Sequence, residues 1–397
     1  MPTPEQTGPS CQGFGGTVPP GETFLRFRHL MEPLGITRLA NITGLDSVGV
    51  PVYLAIRPLA RSLVVSVGKG TAPEAAKTAA LMESIETWHA EQPLPGRSRV
   101  SPRQVRERGL VTVDLEGIPL AVDGATVWSG GADEAIDWVG GEDLLAGERV
   151  LVPYDIVSMD FTRSPQTGLA RNSNGLASGN SAAEATVHGL CEIIERDAET
   201  RWRASEDARR VDLATIDSPA VIGLLELLSG AGLTTVVWDV TSAVGIACFG
   251  CVVLADPDTE LWCPVGVHDG FACHPSPERA LFGAIIEAVQ KRLTYISGSR
   301  DDIDRAEMAR AASPELHAAV WEEISSSAGR HDFGQVADRS TGAAESDVHV
   351  VVDALRRAGA EQVTVVDLST AHGVPVTKSV VPGLEGPFGM CRPLADG

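Results

Sequence analysis

The stretch HGLCEIIERDAETRW, residues 188–202, carries polar side chains at a 4, 3, 4 spacing that matches one stripe of an α-helix. The stripe consists of His188, Glu192, Glu195 and Glu199. The sequence Ser181-Ala-Ala-Glu184 just before it is a capping-box pattern. We therefore predict a helix that begins there and ends near Arg203.

The stretch LMESIETWHAE, residues 81–91, shows a related pattern, because Glu83 and Glu86 are three residues apart and share a helix face. The apolar residues between them, Leu81, Ile85 and Trp88, can face a core. The sequence Thr71-Ala-Pro-Glu74 is a second capping-box pattern and predicts the start of this helix.

A third helix is predicted to begin at Ser276, run to about Ser297 and end on Gly298. It carries Glu287 and Gln290, again three residues apart. If the three stripes face one cleft, four or five carboxylates crowd together, and their pKa values rise unless cations neutralise them. Mg²⁺ fits such a cluster, since it takes oxygen ligands and joins protein carboxylates to nucleotide phosphates.

The alternative is that each pair of glutamates marks a solvated helix face. Glu192 has Arg196 four residues further on, which is the spacing of a surface ion pair. Glu83 and Glu86 have no such partner. Spacing alone leaves both interpretations open.

Two loops could hold phosphate groups. SVGKG, residues 66–70, follows a predicted strand and precedes a helix, so its amides and Lys69 could bind a phosphate. It is not a Walker loop, because Leu63 occupies the first glycine position and Gly70 follows the lysine. NSNGLASGNS, residues 172–181, is dense in Gly and Asn and is the better candidate. Each loop could also be an ordinary turn.

Other polar residues carry weaker signals. Arg57 could meet a phosphate or form an ion pair. His89, His268 and His274 could act as acid–base groups, but we expect structural roles, and no G-x-S-x-G nucleophile motif occurs near them.

Apolar runs that read as strands alternate with the helical segments, which predicts an α+β (mixed α/β) fold. These runs are GVPVYLAIRP, SLVVSVGKG, LTTVVWDVT, CFGCVVLAD and QVTVVDLST. We expect a single large domain with mixed sheets and with helices lining a cleft. Residues 1–34 are predicted to be a disordered or extended arm, since the chain begins rich in Pro, Gly and Thr. Residues 324–347, poor in large apolar side chains, are predicted to be a mobile loop.

The 397 residues include 53 acidic and 32 basic side chains, for a formal charge of -21. This charge argues against nucleic acid or an anionic membrane as a partner. Seven scattered cysteines do not form a disulfide framework and favour a cytoplasmic location.

Several stretches, in their order along the chain, resemble the YcaO family, and most closely its subgroup associated with TfuA proteins. They are TGLDSVGVPVYLAIRP, SVGKG, LMESIETWHAE, NSNGLASGN, HGLCEIIERDAETRW and EAVQKRLTYISGSRDD. The resemblance runs from about residue 35 to residue 385 and leaves residues 386–397 as a tail. It implies an ATP- and Mg²⁺-dependent enzyme whose glutamates lie on facing helices.

The resemblance also implies site residues. The nucleotide and metal ligands implied are Glu83, Glu86, Glu192, Glu195 and Glu287, with Gln290 as a further nucleotide ligand. Lys69, Asn174 and Arg196 are implied as additional nucleotide contacts. No catalytic acid or base is assigned.

This chain departs from the family pattern at three positions. Ala79 and Thr87 stand where many members have Ser and Arg, and Gly283 stands where a basic residue is common. The departures concern positions beside the core glutamates, all of which are present.

The family chemistry is phosphorylation of a backbone amide oxygen in a ribosomally made peptide, which turns a very poor leaving group into phosphate. Products are thioamides, azolines or amidines. The chain lacks the Pro-x-Pro-x-Pro tail usual in azoline-forming members, so thioamide formation is the first expectation. Cyclodehydration, amidine ring closure and a non-catalytic role in ribosomal-protein methylthiolation are the alternatives.

The expected partners are a precursor peptide and a TfuA-like or separate leader-binding protein. About 34 residues precede the recognised region, too few for a winged-helix leader reader. Oligomeric state is left open, a homodimer included.

Overall fold

The computed structural model describes residues 18–121, 133–204, 209–257, 266–300, 302–303, 305–326, 328–384 and 386. Within these ranges the named strands form three sheets, and every pairing between them is antiparallel. The α+β class is confirmed, whereas the sequence had led us to expect mixed sheets. No helix of this part of the chain is long and apolar enough to cross a membrane.

The first sheet has the order β1-β2-β3 and the second has the order β10-β9-β8. The largest sheet has the order β4-β5-β11-β12-β7, with β6 paired to β5. The strands are β1 (Arg38–Asn41), β2 (Val52–Ile56), β3 (Val65–Lys69), β4 (Ser98–Val100), β5 (Ile136–Asp143), β6 (Glu148–Pro153), β7 (Leu176–Ser178), β8 (Leu233–Asp239), β9 (Cys248–Ala255), β10 (His268–Cys273), β11 (Thr364–Asp367) and β12 (Val376–Val380).

Three long helices cover these sheets, and they are the three that the sequence predicts. The helices are α1 (Pro20–Phe27), α2 (Pro73–Glu91), α3 (Pro102–Glu107), α4 (Tyr154–Val157), α5 (Ala182–Arg203), α6 (Pro219–Gly230), α7 (Pro277–Ser297), α8 (Arg305–Ala311), α9 (Pro314–Ser325) and α10 (Ala344–Arg357). Helix α7 ends on Gly298 in the left-handed conformation, as predicted.

The helix starts differ from the predicted capping boxes. The N-cap of α2 is Ala72 and makes no side-chain hydrogen bond, because Pro73, with its preset φ and no N–H, begins the helix instead. At α5, the Ser181 hydroxyl accepts from the Glu184 N–H at 3.1 Å, but the Glu184 carboxylate accepts from the Asn180 N–H. Only half of that box is present.

The two loops proposed to hold phosphate contain strands. Most of SVGKG is β3, and its Gly68 lies so close to α2 that an added Cβ would stand 2.0 Å from the Ala80 nitrogen. The glycine therefore serves close strand–helix packing. Residues 176–178 of the second loop form β7, which pairs with β12.

Two predictions of disorder were wrong in part. Residues 20–27 form α1, whose Thr23 hydroxyl donates to the Asn180 side chain at 3.0 Å. Buried Phe27 anchors this helix in the core. In the predicted mobile loop, α10 begins at Ala344 and a short 3₁₀ turn spans Phe333–Gln335, with Phe333 buried. The predicted tail lies outside the described residues, apart from Gly386.

Three apolar clusters hold the long helices against the sheets. Buried residues of α2, such as Leu81 and Ile85, pack with strands of the large sheet. Those of α7 pack with β8 and β9, and those of α5 pack with β9, β10 and α10. Each helix therefore buries its apolar stripe, and its glutamate stripe faces the space between the helices.

Candidate functional site

Carboxylates from three helices come together. Glu83 and Glu86 on α2 face Glu192 on α5, whose charge raises the pKa of both. Glu192 and Glu195 in turn face Glu287 on α7 in the same way. The convergence that spacing could not establish is therefore present, and the glutamates do not form separate solvated faces.

Burial is the largest cause of the perturbed acidities. It raises the pKa of Glu83 from 4.5 to about 7, with Lys69 and Arg300 opposing and Glu192 adding to the rise. Burial together with Glu192 and Glu83 raises the pKa of Glu86 well above its ordinary value. The pKa of Glu195 is also well above its ordinary value, again mainly through burial. Such a set is stable as anions only with added positive charge.

Glu287 behaves differently because it has a partner. Burial alone would raise its pKa, but Lys69 and Arg196 outweigh burial and lower it. The Lys69 ammonium lies 3.0 Å from the Glu287 carboxylate, and both side chains are about one quarter exposed. Lys69 at the end of β3 thus contacts α7.

Arg196 joins the same charge network. Its guanidinium lies 3.4 Å from Glu195 and 3.1 Å from Glu199, whereas the sequence suggested a surface pair with Glu192. Its side chain points along α5 toward buried carboxylates. Burial lowers its pKa, but Glu195 and Glu287 outweigh that effect and raise it.

The segment before α5 supplies polar atoms. Gly175, at φ +79°, donates its N–H to the Glu192 carboxylate at 3.0 Å. The Oδ1 atom of Asn174 is buried and has no hydrogen-bond partner within the described ranges. Such an atom fits contact with a bound ligand. Gln290 lies half-buried one turn beyond Glu287 on α7.

Lys378 on β12 was not among the site residues that we predicted from the sequence. It is 3% exposed, donates to the Asn172 carbonyl at 2.7 Å, and lies within electrostatic reach of Glu192 and Glu86. Burial lowers its pKa to about 8, and the two glutamates limit that fall. The available signal was a lone lysine inside an otherwise uncharged strand, VTKSV.

A polar pocket of about 390 Å³ lies beside the first turns of α5. It is lined by residues of α5, the start of α7 and the start of α10, among them Glu184, His188, His274, Arg279 and Asp347. His188 lies one helical turn before Glu192, so the pocket continues the stripe toward the start of α5. Burial, with Arg279 nearby, lowers the pKa of His274 to about 3, which keeps this imidazole neutral.

The other residues singled out in the sequence lie elsewhere. Arg57 forms a buried ion pair with Glu91, not a surface pair. His89 is buried, and its ring nitrogens meet the Ile85 carbonyl and the Thr370 hydroxyl at 2.7 and 3.1 Å. His268 is buried beside the ring of Tyr295.

The carboxylates fit a Mg²⁺ ion that is bound by only one or two of them at a time. Within the described ranges, no three His, Cys, Asp or Glu side chains are grouped closely enough to hold one ion. Mg²⁺ typically uses one or two carboxylates and completes its octahedron with phosphate oxygens and water. The raised pKa values of the glutamates and the unpaired Asn174 oxygen suit that arrangement.

Comparison with known proteins finds relatives whose similarity covers all the residues of the site. The family model described as "YcaO cyclodehydratase, ATP-ad Mg2+-binding" matches residues 67–385. A protein of Rhizobium leguminosarum bv. trifolii, described as lying in the tfuA 3′ region, is 33% identical over 378 residues, covering 93% of this chain and 88% of the relative. A Methanothermobacter thermautotrophicus protein is 34% identical over 381 residues, covering 93% and 94%.

Solved structures share the fold. YcaO from Methanopyrus kandleri, bound with AMPPCP and Mg²⁺, superposes with a TM-score of 0.69 at 22% identity, covering 93% of this chain and 92% of the other. A heterocyclase in complex with substrate and cofactor gives a TM-score of 0.75 at 22% identity, covering 94% of this chain and 53% of the other. The E. coli microcin synthetase McbBCD complex gives 0.61 at 13% identity, covering 87% of each chain.

Proposed function

The chain belongs to the YcaO family of ATP- and Mg²⁺-dependent peptide-modifying enzymes, and we propose that it converts a backbone amide of a ribosomally made peptide into a thioamide. The observation that carries the choice of product is the 33% identical relative in the tfuA 3′ region. TfuA-associated members of the family are linked to thioamide formation from a sulfide source.

We infer that the converging glutamates bind the metal-nucleotide. Glu83 and Glu86 on one side, and Glu192, Glu195 and Glu287 on the other, would hold Mg²⁺ in pairs. The ion, when bound, neutralises charge on the phosphates during transfer. Lys69, Arg196, Asn174 and Gln290 would contact the nucleotide from the rim. Their support is proximity to the carboxylates and, for Asn174, its unpaired oxygen.

The polar pocket suits the nucleoside end of ATP. It begins one helical turn from Glu192, about 6 Å along the α5 axis, so a triphosphate could connect the two. Arg279, His188 and Asp347 offer donors and acceptors to a ribose or base. A nucleotide lying this way would direct its γ-phosphate toward α2.

The proposed reaction has two bond-making steps. A hydrosulfide adds to the amide carbon, and the resulting oxyanion attacks the γ-phosphorus while the bond to ADP breaks. Phosphate then departs with the former amide oxygen, the sulfhydryl proton is lost, and a C=S bond remains. The protein positions the triphosphate and stabilises charge during transfer, which is where most phosphoryl-transfer catalysis arises.

Mass spectrometry of a candidate precursor peptide tests the product. The peptide encoded beside the gene is incubated with the protein, ATP, Mg²⁺, sulfide and a neighbouring TfuA-like protein. A gain of about 16 Da, with ADP release, supports thioamide formation. A loss of about 18 Da instead identifies an azoline or amidine and overturns the choice of nucleophile.

A non-catalytic accessory role makes a different prediction. Such a protein would show no peptide-stimulated ATP turnover, and changing Glu86 and Glu195 together to Gln would leave its function intact. We favour catalysis because the full set of glutamates is present and mutually positioned.

Boundaries, location and partners are part of the proposal. We place the start of the domain near residue 35, because β1 and β2 belong to the same sheet as β3. The reaction is placed in the cytoplasm, where ATP is available and the buried cysteines stay reduced. The partners are the precursor peptide and a TfuA-like protein.

A further inference from the structure

Lys378 occupies an unusual position for a lysine. It is the central residue of β12, all five of whose residues are buried, and it is itself 3% exposed. Burying an ammonium is costly unless it is paired. A lysine at this position therefore needs an interaction that offsets the cost of burying its ammonium group.

The simplest role would be to neutralise neighbouring carboxylates, but the contacts differ from those of the other cations. Lys69 lies 3.0 Å from Glu287, and Arg196 lies within 3.4 Å of Glu195. Among the described residues, Lys378 forms no ion pair within 4.0 Å and donates instead to the Asn172 carbonyl at 2.7 Å. An ammonium has three N–H donors, so this bond leaves two for another acceptor.

A second unsatisfied group belongs to the same segment. The carbonyl that Lys378 contacts is two residues from Asn174, whose buried Oδ1 has no partner in the described part of the chain. Lys378 and Asn174 thus bring an ammonium and an amide to the segment that also donates to Glu192. A buried polar atom without a protein partner needs one, which a bound ligand or an ordered water can supply.

The lysine also lies outside the polar pocket. The polar pocket is lined by residues of α5, α7 and α10 and their neighbouring loops, and none of its lining residues comes from α2 or β12. Lys378 and Glu86 lie on those two elements, so neither of them lines the pocket. A nucleotide with its nucleoside in the pocket would extend its phosphates past Glu192, which acts electrostatically on Lys378, toward the lysine.

We propose that the Lys378 ammonium contacts the γ-phosphoryl group of ATP and stabilises it during transfer to the amide oxygen. This inference rests on the proposed function. In the step, the bond between the γ-phosphorus and the ADP oxygen breaks as the bond to the amide oxygen forms. Lys378 keeps its protons and donates hydrogen bonds to the oxygens that gain charge.

The test compares nucleotides with and without a γ-phosphate. Calorimetric titrations measure binding of Mg-ADP and of Mg-AMPPCP to the full-length protein and to Lys378→Met. We expect the variant to bind Mg-AMPPCP at least tenfold more weakly and Mg-ADP within about threefold of the parent, because the lost contact involves only the γ-phosphate. Peptide-dependent kcat should fall about 100- to 1,000-fold.

Control variants separate this role from a structural one. Thr377→Val changes the neighbouring buried position, which points to the opposite sheet face, and should leave both affinities unchanged. Lys378→Gln removes the charge but keeps a donor for Asn172, and it carries the test if Lys378→Met fails to fold.

Two results would overturn the inference and can be told apart. Equal weakening of Mg-ADP and Mg-AMPPCP would make Lys378 a structural counter-ion, while the proposed function stands. If the parent protein binds neither nucleotide, the proposed function itself fails and Lys378 fails with it.

Discussion

Replacing Glu83 with Gln should stabilise the nucleotide-free protein at pH 8. Burial raises the pKa of this carboxyl from 4.5 to about 7, so near pH 6 the native state holds a proton that the unfolded chain releases. Stability therefore falls as pH rises from about 4.5 to about 7, and the loss is complete above that window. Glutamine resembles the protonated form and does not suffer this loss.

The size of the effect follows from the shift. At about 1.4 kcal/mol for each pKa unit, the rise of the Glu83 pKa from 4.5 to about 7 costs the native state up to about 3.5 kcal/mol at pH 8. The unfolding entropy of about 2 cal/mol/K for each residue makes this a rise in Tm of up to about 4 °C for a chain of 397 residues. At pH 4.5 or below, the parent and the variant should melt together within about 1 °C.

Thermal unfolding followed by circular dichroism at pH 4.5, 6 and 8, in EDTA and without nucleotide, measures this difference. The matched control is Glu226→Gln, an exposed glutamate of α6 outside the site, which should show no such pH-dependent gain. With Mg-AMPPCP added at pH 8, the parent should gain more stability than Glu83→Gln, because the variant has lost a proposed metal ligand.

A variant no more stable than the parent at pH 8, with a normal fold, would refute the reasoning. It would mean that the Glu83 carboxylate is well solvated or already paired with a positive charge. The buried carboxylates would then not destabilise the nucleotide-free protein.

Three further predictions address the site and its support. Glu86→Gln and Glu195→Gln should each lower peptide-dependent ATP turnover at least 100-fold while leaving the circular dichroism spectrum unchanged; turnover retained in both would remove the glutamates from the site. Arg279→Met should weaken Mg-AMPPCP and Mg-ADP binding about equally, by tenfold or more in titration calorimetry, since the pocket is proposed to hold the nucleoside that both share; a selective loss would argue against that orientation. Gly68→Ala should destabilise the fold by about 3 kcal/mol or more in urea unfolding, because its Cβ would overlap the backbone of α2; an unchanged midpoint would show that β3 can move away.

Much of the local structure could be predicted from the sequence because it depends on neighbours along the chain. Periodicity placed α2, α5 and α7 with their apolar and acidic faces, and alternation placed β2, β3, β8, β9 and β11. The capping boxes were less reliable, since a proline at the first helical position made a side-chain cap at Ala72 unnecessary. Helix α1 was missed because Pro and Gly at its start resemble an extended arm, while its stability comes from burying Phe27.

The glutamate stripes were visible in the sequence as spacing within each helix, and the family resemblance implied that they meet. Residue types and periods along one helix are local properties, so the sequence by itself determined which side chains share a face. Packing between segments far apart in the chain decides which helix faces lie opposite one another. Lys69 reaches Glu287 across 218 positions, and Lys378 reaches Asn172 across 206. The altered pKa values, the pocket and the buried position of Lys378 arise only in the tertiary structure, because burial and charge proximity exist only after the chain has folded.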